Sequence, residues 1–140
     1  MKKRIISILL IGLLLTCLSA CTEKWEQYIG KWELESYETS EGIFTSGDSD
    51  WSVEGMIIFF NKGYIEIDVD ATRNSGDKNI RYFNDYVSIA ADWSVIESGD
   101  IEVTFDGHVV TAMHYENDRL ILNTKDGTFT LKKISDNPEV

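Results

Sequence analysis

Met56-Ile57-Ile58-Phe59-Phe60-Asn61-Lys62-Gly63-Tyr64-Ile65-Glu66-Ile67-Asp68-Val69-Asp70 is the stretch that decides the fold. Its first five residues form a continuous apolar run, the pattern of a buried strand. Asn61-Lys62-Gly63 predicts a tight hairpin turn. In the return segment Ile65, Ile67 and Val69 alternate with Glu66, Asp68 and Asp70. Side chains along a strand point alternately to opposite faces, so one face meets a core and the other meets water.

Downstream, the same grammar repeats. Residues 71–78 read as a polar loop. Residues 80–83 and 87–96 are extended, with Asn84-Asp85 as a turn or bulge between them, and Val87, Ile89, Ala91, Trp93 and Val95 share one face. Ser98-Gly99 turns the chain into Ile101, Val103 and Phe105, and Asp106-Gly107 is a strong hairpin signal. Three further strands follow at 108–115, 119–124 and 128–134, separated by Asn117-Asp118 and Lys125-Asp126-Gly127. Residues 135–140 read as a frayed tail.

Upstream, Trp25, Tyr28, Ile29 and Trp32 fall at the spacing of one helical face, predicting a helical turn that ends at Gly30. A strand over 31–37 follows, with Trp32 and Leu34 on one face. Residues 38–54 lose all periodicity and predict the longest loop of the domain, carrying Ile43, Phe44 and Trp51 as apolar exceptions.

The chain is thus expected to be all-β, with eight or nine strands. Short connections pair sequence neighbours antiparallel, and an open meander of that length would expose edges that invite aggregation. Closure into an antiparallel up-and-down barrel removes them. Eight strands enclose an interior just wide enough for side chains or one small ligand.

The N-terminus carries a different message. Lys2, Lys3 and Arg4 precede an apolar run over 5–15 and the tetrapeptide Leu18-Ser19-Ala20-Cys21. That is a charged region, an apolar region and a small-residue cleavage site, together a signal peptide over 1–20. The apolar run is too short for a transmembrane helix, which needs roughly 20 residues. The tetrapeptide resembles the lipobox of bacterial lipoproteins. The resemblance implies that Cys21 is lipid-modified and becomes the new N-terminus, followed by a short tether over 21–24 and a barrel over 25–134. It also implies a lipid-anchored protein at the cell membrane or outer membrane. Thr22 is not the aspartate associated with inner-membrane retention.

Cleavage would remove three basic residues and no acidic ones, leaving 10 basic and 24 acidic side chains and a net charge of −14. Such a surface repels nucleic acid and anionic lipid, so neither is expected as a partner, and attachment would depend on the lipid alone. Cys17 lies within the signal and Cys21 would carry the lipid, so no disulfide is expected and stability must come from packing.

Gly30-Lys31-Trp32, after a helical turn and at the opening of the first strand, resembles the Gly-x-Trp signature of lipocalins. With the strand order, chain length and lipobox, it resembles the small lipocalin-like lipoproteins of bacteria over roughly residues 25–134. The resemblance gives Gly30 and Trp32 structural roles, with the indole plugging the closed end of the barrel. A lipocalin arginine near the chain end stacks on that tryptophan; here only Lys132 or Lys133 can take its place. The Thr-Asp-Tyr type motif and the helix after the last strand are missing from this sequence.

Candidate sites follow. Trp93, Phe105 and Phe129, with the small Ala91, are expected to line an apolar ligand cavity guarded by the 38–54 loop. The competing expectation is a barrel packed solid, acting as an envelope interaction or structural module through Ile43, Phe44 and Trp51 in that loop. Asp48/Asp50 and Asp68/Asp70 have a calcium-like spacing, but Arg73 stands where an EF-hand loop needs glycine, so no metal site is expected. His108 and His114 lie on one strand, six residues and roughly 20 Å apart, too far for one metal. They are expected on the same face, as surface or interfacial histidines. No nucleophile elbow, zinc-protease motif, phosphate loop or free thiol is present, so no catalytic residue and no cofactor are expected.

Overall fold

The computed structural model describes residues 25–74 and 81–139. The predicted signal peptide, Cys21, the predicted tether and residues 75–78 of the predicted second loop lie outside them. Nine strands run in order: β1 (Gly30–Thr39), β2 (Gly42–Phe44), β3 (Trp51–Phe59), β4 (Tyr64–Asn74), β5 (Arg81–Val95), β6 (Ile101–Phe105), β7 (His108–Glu116), β8 (Arg119–Asn123) and β9 (Thr128–Ser135). Every pairing is antiparallel. Because β9 pairs with β1 and β1 with β3, eight strands close a barrel, and β2 is an extra strand on the β1 edge. No described helix is long and apolar enough to cross a membrane.

Two expected loops are partly strand. β1 runs on to Thr39 and turns into β2 through Thr39↔Gly42, and β3 already begins at Trp51. The ring of Phe44 stacks on Trp51 at 4.3 Å and 17°, and Trp51 sits 5.9 Å from Tyr37. These aromatics pull a Gly- and Ser-rich segment into the sheet, leaving only 45–50 irregular. Likewise β4 continues to Asn74, with Ala71 and Thr72 buried and the Thr72 hydroxyl donating to Asp70 at 2.7 Å. Asn61–Gly63 makes the expected tight connection between β3 and β4, in the form of a 3-10 turn.

β5 is one strand of 15 residues. Ala71 faces Asp85 while Thr72 faces Phe83, so Asn84 is an extra residue that bulges without breaking the strand. A bulge bends its strand and adds local twist. Beyond it, the Asp85 carboxylate accepts hydrogen bonds from Thr124 Oγ1 and from the Tyr37 hydroxyl, the latter at 3.3 Å. Asp85 thereby ties β5 to the end of β8 and to β1.

The core has an aromatic cluster toward each end. At the end where β1 begins, Tyr28 packs edge-on to Trp93 and Tyr115 and tilted against Phe59, while Trp32 meets Tyr115. A 3-10 turn over Glu26–Tyr28 places these rings, and Trp32 Nε1 donates to the Tyr28 carbonyl at 2.9 Å. Toward the other end Tyr37, Trp51 and Phe129 pack together, with Tyr37 and Phe129 4.7 Å apart. Buried aliphatics, among them Ile57, Ile67, Val103, Leu122 and Leu131, complete the core.

Candidate functional site

The four residues expected to line a single cavity do not meet. Trp93 belongs to the aromatic cluster at the closed end, where it lies 4.9 Å from Phe59, whereas Phe129 belongs to the opposite cluster. Ala91 is buried on β5, opposite Ile65. Phe105 is 54% exposed, which corrects the expectation that it faces the interior. It has the inward phase of Ile101 and Val103, but the β5–β6 ladder stops at Asp92↔Thr104. The side chain thus projects past the end of the wall, beside the Asp106-Gly107 turn.

The recess of greater consequence lies at the closed end and was only partly legible in the sequence. Trp25, Gly63, Trp93, Ser94, Val95 and Ile96 form most of a groove of about 620 Å³, within the size range of small-molecule sites. The turn that carries Tyr28 brings Trp25 there, and the chain leaving β5 brings Val95 and Ile96. Trp93 is 7% exposed, and its Nε1 is the one buried side-chain polar atom with no hydrogen-bond partner among the described residues. Buried indole N–H groups usually find an acceptor, since leaving a buried donor unmade costs about 1–3 kcal/mol. Burial also pushes the neighbouring Tyr28 phenol above its ordinary range. Of this groove the sequence signalled Trp93 alone; Trp25 was legible only as part of a helical face.

The predicted contact loop is also redrawn. Trp51 is 4% exposed and belongs to the core, and Phe44 is half-buried against it, so neither is the exposed aromatic the sequence suggested. Ile43 is exposed at 64%. A polar recess of about 270 Å³ beside them is bordered by the Arg73–Glu41 ion pair. Asp48 accepts from the Thr45 backbone N–H, a turn-capping role, and Asp68 stands on the exposed face of β4. No cluster of three or more metal-ligating side chains occurs among the described residues.

The two histidines are both exposed, but a bulge separates their faces. Val103 faces Thr111 while Thr104 faces Val109, so Val110 is the extra residue in β7 and reverses the alternation. His108 therefore takes the phase of Phe105, and His114 takes the opposite one. His114 Nδ1 lies 2.7 Å from Asp100 Oδ1, which holds the imidazole above its ordinary pKa and the carboxylate below its own.

Comparison with protein families, with curated proteins and with solved structures finds no match to this chain.

Proposed function

We propose that this chain is an exported envelope lipoprotein whose barrel, lipocalin-like in plan, binds a small apolar molecule without transforming it. The observation that carries the reading is the groove at the closed end, whose wall includes a tryptophan with an unused indole N–H. A ligand with an apolar body and one carbonyl oxygen would bury its body against Trp25, Val95 and Ile96 and supply the missing acceptor. The lipocalin-like plan is supported by Trp32 plugging the barrel end and by Lys133 above its ring. If Cys21 is acylated, the tether is so short that this groove stays close to the membrane surface, where apolar molecules partition.

The exposed Ile43 on β2, beside the polar recess at Glu41 and Arg73, favours a second reading, an envelope interaction module whose outer surface carries the function.

Titration of residues 22–140 with 1,8-ANS and with a fluorescent fatty acid tests the first reading. Saturable binding should weaken roughly five-fold in Trp93→Phe, which keeps the ring and removes one hydrogen bond of about 1 kcal/mol. No saturable binding, or equal binding by Trp93→Phe and Trp25→Ala, would reject it.

A further inference from the structure

Among the described residues, the barrel wall has one long edge with no strand paired to it. β5 is paired to β4 over residues 81–92, from Tyr64↔Asp92 to Asn74↔Arg81. Its other flank meets β6 only from Asp92 to Val95. Residues 85–91 are therefore hydrogen-bonded on one side, and the backbone groups pointing the other way open into a cleft of about 520 Å³. Its far side is formed by Val110, Thr111 and the chain from Leu122 to Lys125. Two exposed apolar side chains, Tyr86 and Val110, border this opening.

Free strand edges are normally protected by lysine, proline or an inward charge. Asp85, turned toward Thr124 and Tyr37, is an inward charge at one end of this edge. Tyr86-Val87-Ser88-Ile89-Ala90-Ala91, however, carries no lysine, proline or charge in a chain of net charge −11. The neighbouring strand is the reverse. Asp70, Asp68 and Glu66 pair across from Tyr86, Ser88 and Ala90, so three carboxylates stand in a row one strand behind the edge. None of the three is in an ion pair among the described residues, whereas Arg73, Arg119, Lys132 and Lys133 are each engaged elsewhere.

We infer that this edge docks an extended segment of a partner polypeptide in which basic and apolar residues alternate, added as a strand antiparallel or parallel to β5. Main-chain hydrogen bonds would supply affinity and alternate side chains specificity. An added strand lies about 4.8 Å from β5 and about 10 Å from the carboxylate row. Ser88 and Ala90 are short, so a lysine or arginine on the outer face of the incoming strand reaches over them to Asp68 and Glu66. Its inner face rests on Val87 and Ile89. A second copy of this chain fits worse, because it would bring its own net −11 and its own carboxylate row instead of cations. The edge is separate from the groove at the closed end, so failure of either site leaves the other standing.

The test uses residues 22–140, which include every strand of the barrel, and the capped peptide KVKIKVK, with EVEIEVE as control. Hydrogen exchange should slow at the amides of residues 86–91 with the first peptide and not with the second. Affinity should fall at least ten-fold in Ser88→Lys, a surface change that puts a protecting charge on the edge. It should fall at least five-fold in Glu66→Lys/Asp68→Lys, and with added salt. Absence of binding, equal binding of the two peptides, or protection confined to other strands would overturn the inference. So would concentration-dependent dimerisation that slows the same amides without peptide, since it would give the edge to a second copy.

Discussion

Lys133 Nζ lies 5.8 Å from the centre of the Trp32 indole, across the closed end of the barrel. The ammonium also donates to the Gln27 carbonyl at 2.9 Å and pairs with Asp136 at 2.6 Å. It therefore fastens the entering turn, the first strand and the last strand at one point. The register explains why Lys133 and not Lys132 is placed there. Lys31 faces Ser135 while Trp32 faces Lys133, so Ile134 is the extra residue, and Lys133 keeps the inward phase of Leu131. Trp32→Ala should lose about 3–5 kcal/mol, as expected for deleting a buried large aromatic. Lys133→Met keeps the aliphatic stem and should lose only about 1 kcal/mol, from the cation–π contact and one hydrogen bond. Urea melts of both variants check the order; a smaller loss for Trp32→Ala would show that the indole is not the plug.

Gly30 cannot be replaced for a reason distinct from its neighbour's. Its φ is +122°, and a Cβ built there would lie 2.0 Å from the Ser135 carbonyl oxygen. Gly107, at φ +77° in the β6–β7 turn, has open space around it. Gly107→Ala should therefore lose about 1–2 kcal/mol from the left-handed backbone alone. Gly30→Ala should lose more, because the β1–β9 closure must move to relieve the contact. Equal losses in thermal or urea melts would contradict the close approach of β9.

The His114–Asp100 pair gives a pH dependence of defined sign. Hydrogen bonding to Asp100 raises the His114 pKa above 6.5, so its contribution is complete below that pH and is lost as pH rises through the folded value. Hydrogen bonds from His114 and Ser98 lower the Asp100 pKa below 3.8, so its contribution is present above that pH and is lost as pH falls through the folded value. Both hold together between pH 3.8 and 6.5. The stability difference between the parent and His114→Gln should thus be larger near pH 5.5 than near pH 8.5, roughly one unit or more beyond the ordinary histidine range. An NMR titration should show His114 returning to ordinary behaviour in Asp100→Asn. An unmoved histidine would remove the ion pair.

The anchor makes an equally direct prediction. Each buried methylene adds about 0.8 kcal/mol of membrane affinity, and stable attachment needs more than one chain. If the proposed acylation of Cys21 holds the protein at the membrane, Cys21→Ser should move it from the membrane fraction to the soluble fraction while leaving the barrel's thermal melt unchanged. Metabolic labelling with an alkyne fatty acid followed by fractionation checks it. Unlabelled parent protein in the soluble fraction would remove the lipoprotein reading of residues 1–21.

By itself, the sequence determined most of the strands and the closed antiparallel barrel. Alternation at Ile65, Ile67 and Val69, and hairpin signals such as Asp106-Gly107, are local properties. They survive because strand period and turn chemistry depend on nearest neighbours. The burial of Ile101 and Val103 was legible for the same reason. What the tertiary structure alone decided were the consequences of register. Bulges at Asn84, Val110 and Ile134 each add one residue, and a single added residue reverses every face beyond it. Such a shift separates His108 from His114, and Phe105 is left outside because its neighbouring strand pair ends one residue earlier. Trp51 and Phe44 looked exposed among Gly, Ser and Asp because what buries them is their stacking on each other and Tyr37 across the β1–β2 pairing, which local composition does not signal. The free flank of β5 was equally hidden. A strand's own residues set its alternation, but whether its second edge is covered depends on where two other strands stop.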